Sequence, residues 1–233
     1  MKSAEAAIPS TIVRISPGSI VIEPGQVARY AGGNRFRADA RMEEAIGFVL
    51  GRAAGLIAPV LVYAVHPVAT VEGRVMRLEN GCSVTVPVHE VDSSVKYVAA
   101  VVCTLGPLLE KACKEYGLRG DSLRALFLDA AGVAAMELLG ERAYGIVSGR
   151  AGSFGLSAGC RFAPGTMDIP MEQQAVLFGL VDAEGIGVRL NPGMVMQPNK
   201  SVSFFVPWTG MPEKTPNRYK CRSCGLKDCR FRL

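Results

Sequence analysis

The run VKYVAAVVCTLG, residues 95–106, is apolar along almost its whole length and rich in β-branched residues. A continuous run of this kind is typical of a strand that is buried on both faces, because a strand with one wet face would alternate polar and apolar side chains. Gly106 is well suited to end it. The sequence therefore predicts a strand inside the protein, with other elements on either side of it.

Helical patterns follow this run. Pro107 suits the first turn of a helix, because its missing N–H would be unpaired there in any case, and PLLEKACKEYG continues from it. The longest helical pattern in the chain covers residues 122–147, with Asp121 as its cap and Ser122 as a rival cap. A further helix is predicted at about 171–183.

Hairpin patterns dominate the region before the run. Residues 11–22 and 60–88 alternate apolar and polar side chains and are interrupted by Pro-Gly, Glu-Gly and Asn-Gly pairs. That combination is typical of antiparallel strands joined by tight turns. Between the two segments, residues 39–57 have apolar positions at helical spacing behind Asp39, which predicts a capped helix.

The composition is that of a folded protein, with 233 residues, 49% of them apolar and 20% charged. We predict one α+β domain over residues 1–206, with a mostly antiparallel sheet flanked by helices, and an irregular basic tail over residues 207–233. No apolar run is long enough to span a bilayer, and the N-terminus lacks the apolar core of a signal peptide. We therefore expect a cytoplasmic protein without a membrane partner and with reduced cysteines.

The tail combines positive charge with cysteines. Seven lysines and arginines fall within its last twenty residues, and such a segment could bind nucleic acid, bind an acidic partner or simply be solvated. Cys221, Cys224 and Cys229 have a spacing that lets three thiolates reach one tetrahedral ion. Zinc or an iron–sulfur cluster is one interpretation, and simple exposed thiols are the other. The fourth ligand could be Cys160, a histidine (His66 or His89) or a residue of a partner.

Two features in the second half of the chain could belong to a ligand site. Glu137 and Asp129 lie eight residues apart on nearly the same side of the longest helix. They either face inward, where a carboxylate must be paired, or lie on a solvated edge. The segment GCRFAPGTMDIP, residues 159–170, predicts a stiff, non-repeating turn, which either presents groups to a ligand or merely connects two elements. Gly132, in mid-helix, suggests close packing or ligand approach.

Three segments of the second half resemble the reactivation (activation) domain of cobalamin-dependent methionine synthase. They are the turn from Arg161 to Gly165, the strand from Gly187 to Leu190, and Met196 to Ser203, and their order and spacing match that family. A weaker likeness runs through LDAAGVAAMELLGE, through VCTLGPLLEKACKEYG and through ARYAGG at residues 28–33. The chain is also similar to smaller, free-standing relatives associated with corrinoid proteins, in which a cysteine-rich tail recurs.

The resemblance implies binding of S-adenosylmethionine (AdoMet). It also implies a partner, either a corrinoid protein or a cobalamin-dependent methyltransferase, that carries the cobalamin while a reduced electron donor supplies the electron. By this likeness Arg161 would bind the carboxylate of AdoMet and Glu137 would bind the ammonium. Ala163 would offer backbone groups of the turn to the adenine or the amino-acid end, and Gly165 and Thr166 would complete the binding turn. Thr166 stands where the family has a tyrosine, so one aromatic contact is lost, and the later tyrosine pair of the family is missing as well.

Three functions follow from these observations. The first is a reactivation protein that acts as a component of cobalamin-dependent methyl transfer. The second is a docking or chaperone-like module of a corrinoid protein that no longer binds the methyl donor, which Thr166 would allow. The third is a metal-tailed protein whose basic end binds nucleic acid. We favour the first, with no nucleic-acid partner.

Overall fold

The structure, a computed structural model, describes residues 7–87, 94–166, 168–210 and 229. The strands are β1 (Ile8–Arg14), β2 (Val60–Glu72), β3 (Val75–Leu78), β4 (Ser83–Thr85), β5 (Val95–Thr104), β6 (Ser157–Ala158), β7 (Arg189–Leu190), β8 (Met196–Gln197) and β9 (Ser201–Thr209). The helices are α1 (Pro24–Gly32), α2 (Ala40–Leu56), α3 (Leu108–Leu118), α4 (Ser122–Ser153) and α5 (Gln173–Leu180). The predicted α+β class is confirmed.

Seven of these strands form one antiparallel sheet. Its order is β4-β3-β2-β5-β9-β6, with β1 paired to β2, and β7 and β8 form a separate hairpin. The long strand β2 pairs with β1 and β5 through its first half and with β3 through its second half. Strand β5 lies in the middle of the sheet between β2 and β9, and it places Ala99 opposite both Val65 and Val206.

The side chains of β5 enter two hydrophobic cores, because successive residues of a strand point to opposite faces. Ala99, Val101 and Cys103 face a core that α1 to α4 cover, whereas Val98, Ala100 and Val102 face a smaller core under α5, β3 and β4. All six side chains are fully buried. The prediction of a strand buried on both faces is therefore confirmed.

Helix α4 is 32 residues long and forms the axis of the helical layer, with α1, α2 and α3 packed against it. It begins at Ser122, and its cap is Asp121, whose carboxylate accepts from the Arg124 N–H at 3.2 Å. Asp39 caps α2 in the same way, accepting from the Met42 N–H at 2.8 Å. No helix within the described ranges is both long and apolar enough to cross a bilayer.

Several predicted boundaries are wrong, among them the end of the longest helix, which is Ser153 and not residue 147. In the segment 11–22 the strand ends at Arg14, and the predicted Pro-Gly interruption leads into a short 3-10 segment, Pro17–Ser19, and not into a second strand. The helix expected at 171–183 is shorter, Gln173–Leu180. Pro207, Trp208 and Thr209 are not part of an irregular segment, since β9 continues to Thr209 and buries Trp208 completely.

Candidate functional site

A cleft of about 410 Å³ opens between α4, β9 and the turn that precedes α5, with α1 closing one side. The volume lies within the range of clefts that bind drug-sized ligands. Its lining is mainly apolar, with a few charged and hydroxyl groups. The lining residues are Tyr30, Val133, Met136, Glu137, Gly140, Arg161, Phe162, Ala163, Thr166, Val202, Ser203 and Phe204.

The turn that precedes α5, residues 161–166, is held in place by hydrogen bonds to β9 and by hydrogen bonds within the turn. Phe162 exchanges two backbone hydrogen bonds with Phe205 of β9, at 3.1 and 2.8 Å, and this fixes the turn to the sheet. The Thr166 hydroxyl donates to the Ala163 carbonyl at 2.7 Å. Gly165 has a φ of 75°, which a residue with a side chain adopts at a cost. The predicted stiff turn is confirmed, and Gly165 shapes it without lining the cleft.

Arg161 projects from this turn into a fixed position. Its Nη2 donates to the Glu141 carboxylate at 2.8 Å, and its guanidinium carbon lies 5.3 Å from the centroid of the Phe204 ring. A Cβ at Gly140 would lie 3.3 Å from Nη1, so the glycine lets the guanidinium approach α4 closely. Only 21% of the Arg161 side chain is exposed. The guanidinium is thus oriented before any ligand arrives.

Glu137 lies on α4, one helical turn before Glu141. Its Oε2 accepts from the Tyr30 hydroxyl at 2.6 Å and from Arg29 Nη2 at 3.2 Å. Burial, together with the charge and hydrogen bond of Glu137, raises the pKa of Tyr30 to about 12, so the phenol remains a donor at neutral pH. Glu137 is 41% exposed. It therefore combines both interpretations made from the sequence, because it is paired and yet lies at an open edge.

Asp129 does not line this cleft. It pairs with Lys200 at 2.7 Å, and the lysine side chain crosses α4 over Gly132. A Cβ at Gly132 would lie 2.8 Å from Leu109 Cδ2 and 2.9 Å from Lys200 Cε. Of the two explanations for this glycine, close packing is the one that the contacts support.

The predicted metal site falls mostly outside the described residues. Cys221 and Cys224 are not among them, and Cys229 is half-buried. Within the described part of the chain, no group of three or more His, Cys, Asp or Glu residues could hold a metal ion. His66 is engaged elsewhere, since its Nε2 lies 2.8 Å from the Leu180 carbonyl. Burial raises the pKa of Cys103 to about 12, which makes that thiol a poor source of a thiolate ligand.

The structure thus brings four of the five predicted cofactor-binding residues to one cleft, namely Glu137, Arg161, Ala163 and Thr166. Sequence reasoning missed their charged and hydroxyl neighbours, which are Arg29, Tyr30 and Glu141. The segment ARYAGG contains the first two and was noted only for its weak likeness. Glu141 could have been found as the residue one turn after Glu137, on the same side of the helix.

Comparisons with known proteins find similarity to solved structures but not to family models or curated sequences. No protein-family model matches the chain, and no curated protein sequence matches it. Among solved structures, the MetH reactivation domain bound to AdoHcy superimposes with a TM-score of 0.63 at 18% sequence identity, covering 90% of this chain and 80% of that chain. This likeness shows the fold, which is the one that the resemblance implied.

Proposed function

We propose that the cleft binds AdoMet and that the protein thereby supports the reductive methylation of a cobalamin carried by a partner, either a corrinoid protein or a cobalamin-dependent methyltransferase. One observation carries the proposal. Residues singled out by a sequence resemblance, and separated by up to 29 positions, meet at one cleft of suitable size. The fold around them is that of a domain whose solved structure holds AdoHcy.

The charges of the cleft suit the amino-acid end of AdoMet. The guanidinium of Arg161 is a planar fork that matches a carboxylate, and the carboxylate of Glu137 suits an ammonium. Val133, Met136 and Phe204 provide apolar cover for the rest of the molecule. The cleft has no aromatic side chain at Thr166, so in this proposal the adenine end is held by the backbone of the turn and by apolar contacts.

The chain's own contribution is to bind AdoMet and to orient it. AdoMet supplies a methyl group on a sulfonium, and an external donor supplies one electron to cob(II)alamin. Methyl transfer to the reduced cobalt then releases AdoHcy, which pulls the unfavourable reduction forward. Holding the sulfonium in one place over a docked corrinoid replaces an encounter of free molecules with a prearranged one. Arg161 and Glu137 orient the amino-acid end and thus fix where the sulfonium lies.

The experiment mixes the protein with a cob(II)-state corrinoid protein of its own organism, a low-potential reductant and AdoMet. We expect the visible spectrum to change to that of methyl-cob(III)alamin faster than without the protein. Leaving out AdoMet should leave mainly cob(II), because reduction alone is uphill. The Arg161→Ala variant should be slow at limiting AdoMet.

Two other outcomes would redirect the proposal. A spectral shift on mixing without any methyl donor would mean that docking alone changes the cobalt ligation, and the docking-module alternative would replace ours. That alternative has one observation in its favour, since Arg161 and Glu137 each already have a partner within the protein. No response with any corrinoid protein of the organism would contradict both.

We also propose that Cys221, Cys224 and Cys229 bind zinc or an iron–sulfur cluster. The spacing supports this, because it lets three thiolates reach one tetrahedral ion. Anaerobically purified protein should contain close to one zinc ion or one cluster per chain. Cys224→Ser should lose it, whereas Cys103→Ser should not. Metal-free wild-type protein would contradict the proposal.

A further inference from the structure

Helix α1 brings two donors to Glu137. Arg29 and Tyr30 are neighbours on this helix, and both reach the same carboxylate oxygen, Oε2, at 3.2 and 2.6 Å. The Arg29 guanidinium also lies over the Tyr30 ring, 4.7 Å from its centroid. Only 17% of the Arg29 side chain is exposed. The three side chains therefore form one connected cluster at the rim of the cleft.

Helix α1 is itself firmly placed. Its first turn is closed by a capping box, in which Gln26 accepts from the Glu23 N–H at 2.9 Å and the Glu23 side chain accepts in return. Val27, on its inner side, is completely buried in the core shared with α4. Arg29 and Tyr30 thus approach Glu137 from a helix whose position is fixed by packing.

These donors use only one of the two carboxylate oxygens of Glu137. Both donors bind Oε2, and no described residue donates to Oε1. The side chain lines the cleft and is partly open to solvent. A glutamate without such partners would sample several rotamers, and fixing it on binding would cost free energy.

We propose that Arg29 and Tyr30 are positioning residues that hold Glu137 in one rotamer, with Oε1 as the acceptor for the ammonium group of the ligand, and that they thereby make the cleft selective for ligands with a free amino group. This inference rests on the proposed function, because it assigns an ammonium-bearing ligand to the same cleft.

The arrangement of the two arginine–glutamate pairs on α4 supports the inference. Glu141, one turn beyond Glu137, pairs with Arg161, so two arginine–glutamate pairs stand on adjoining turns of α4. In the Arg161–Glu141 pair, the arginine lines the cleft and the glutamate does not. In the Arg29–Glu137 pair, the glutamate lines the cleft and the arginine does not. The cleft therefore presents one positive and one negative group, as the amino-acid end of a zwitterion requires.

The test compares three ligands by calorimetry. AdoMet has both the ammonium and the carboxylate, decarboxylated AdoMet has only the ammonium, and 5′-methylthioadenosine has neither. Tyr30→Phe removes one hydroxyl and keeps the ring. We expect it to weaken the binding of the first two ligands by about three- to tenfold, the scale of one hydrogen bond, and to leave the third unchanged.

Two controls separate positioning from a general structural effect. Tyr116→Phe makes the same chemical change on α3, where the ring packs edge-on against Phe48 away from the cleft, and it should change none of the three affinities. In a Glu137→Gln background, Tyr30→Phe should cause no further loss, because the two residues act through the same carboxylate.

The outcomes distinguish this inference from the proposed function. An equal loss for all three ligands would mean that Tyr30 only supports the structure, and no loss for any ligand would mean that it does not position Glu137. Either result overturns the inference while AdoMet binding stands. Wild-type protein that binds none of the three ligands would overturn the proposed function, and the inference with it.

Discussion

Replacing Trp208 with alanine is expected to lower the free energy of unfolding by about 3–5 kcal/mol, the usual cost of truncating a large buried aromatic residue. The side chain is completely buried and packs against Phe154 and Tyr97, with ring centroids 5.7 and 6.1 Å away. Its indole N–H has no hydrogen-bond partner among the described residues. The loss would therefore come from apolar contacts and from the cavity left behind.

Urea unfolding followed by circular dichroism measures this effect. Fluorescence is unsuitable for the comparison, because Trp208 is the sole tryptophan of the chain. Trp208→Phe is the matched control, since it keeps an aromatic ring and removes the unpaired N–H, and it should cost clearly less. A loss below about 1 kcal/mol for the alanine variant would be typical of a surface position and would contradict the placement of this residue in the core.

Prediction from the sequence failed at Pro207, the residue before Trp208. The sequence predicts an irregular tail from Pro207, and a proline cannot donate to a strand ladder. In the structure Pro207 stands opposite Val98, and its carbonyl accepts from the Gly159 N–H at 2.7 Å. The N–H and C=O of a strand residue point to the same side, so the missing N–H of Pro207 faces the side of Gly159 and the two-residue strand β6, and not the long strand β5. The proline is tolerated, and the strand continues to Thr209.

Elements with strong local signals were predicted correctly. The continuous apolar run of β5 and the caps Asp39 and Asp121 depend on residues close in the chain, and each lies where the pattern placed it. The contacts that complete the cleft are of another kind. Tyr30 and Glu137 are separated by 107 positions, and only the packing of α1 on α4 brings them together. No local periodicity could indicate that pair.

Arg161→Ala is expected to weaken AdoMet binding by about 1.5–3 kcal/mol, the scale of a charge-assisted hydrogen bond to a carboxylate. The fold should survive the change, because the pair that Arg161 forms with Glu141 is partly exposed and exposed pairs contribute little to stability. Calorimetry with AdoMet measures the affinity, and a thermal melt in the absence of ligand checks the fold. Arg161→Lys should restore only part of the affinity, since one ammonium cannot replace a planar fork.

Arg124→Ala provides a matched control for this variant. Arg124 has the same two kinds of contact as Arg161, an ion pair with Asp121 at 3.0 Å and an aromatic ring, that of Phe48, 4.0 Å from its guanidinium carbon. It lies outside the cleft, so its loss should leave AdoMet affinity unchanged while costing similar surface contacts. If both variants bind AdoMet as the wild type does, Arg161 has no role in binding, and its pairing with Glu141 is then a surface contact of the turn. If Arg161→Ala alone loses affinity, and loses it for AdoMet but not for decarboxylated AdoMet, the guanidinium binds the carboxylate of the ligand.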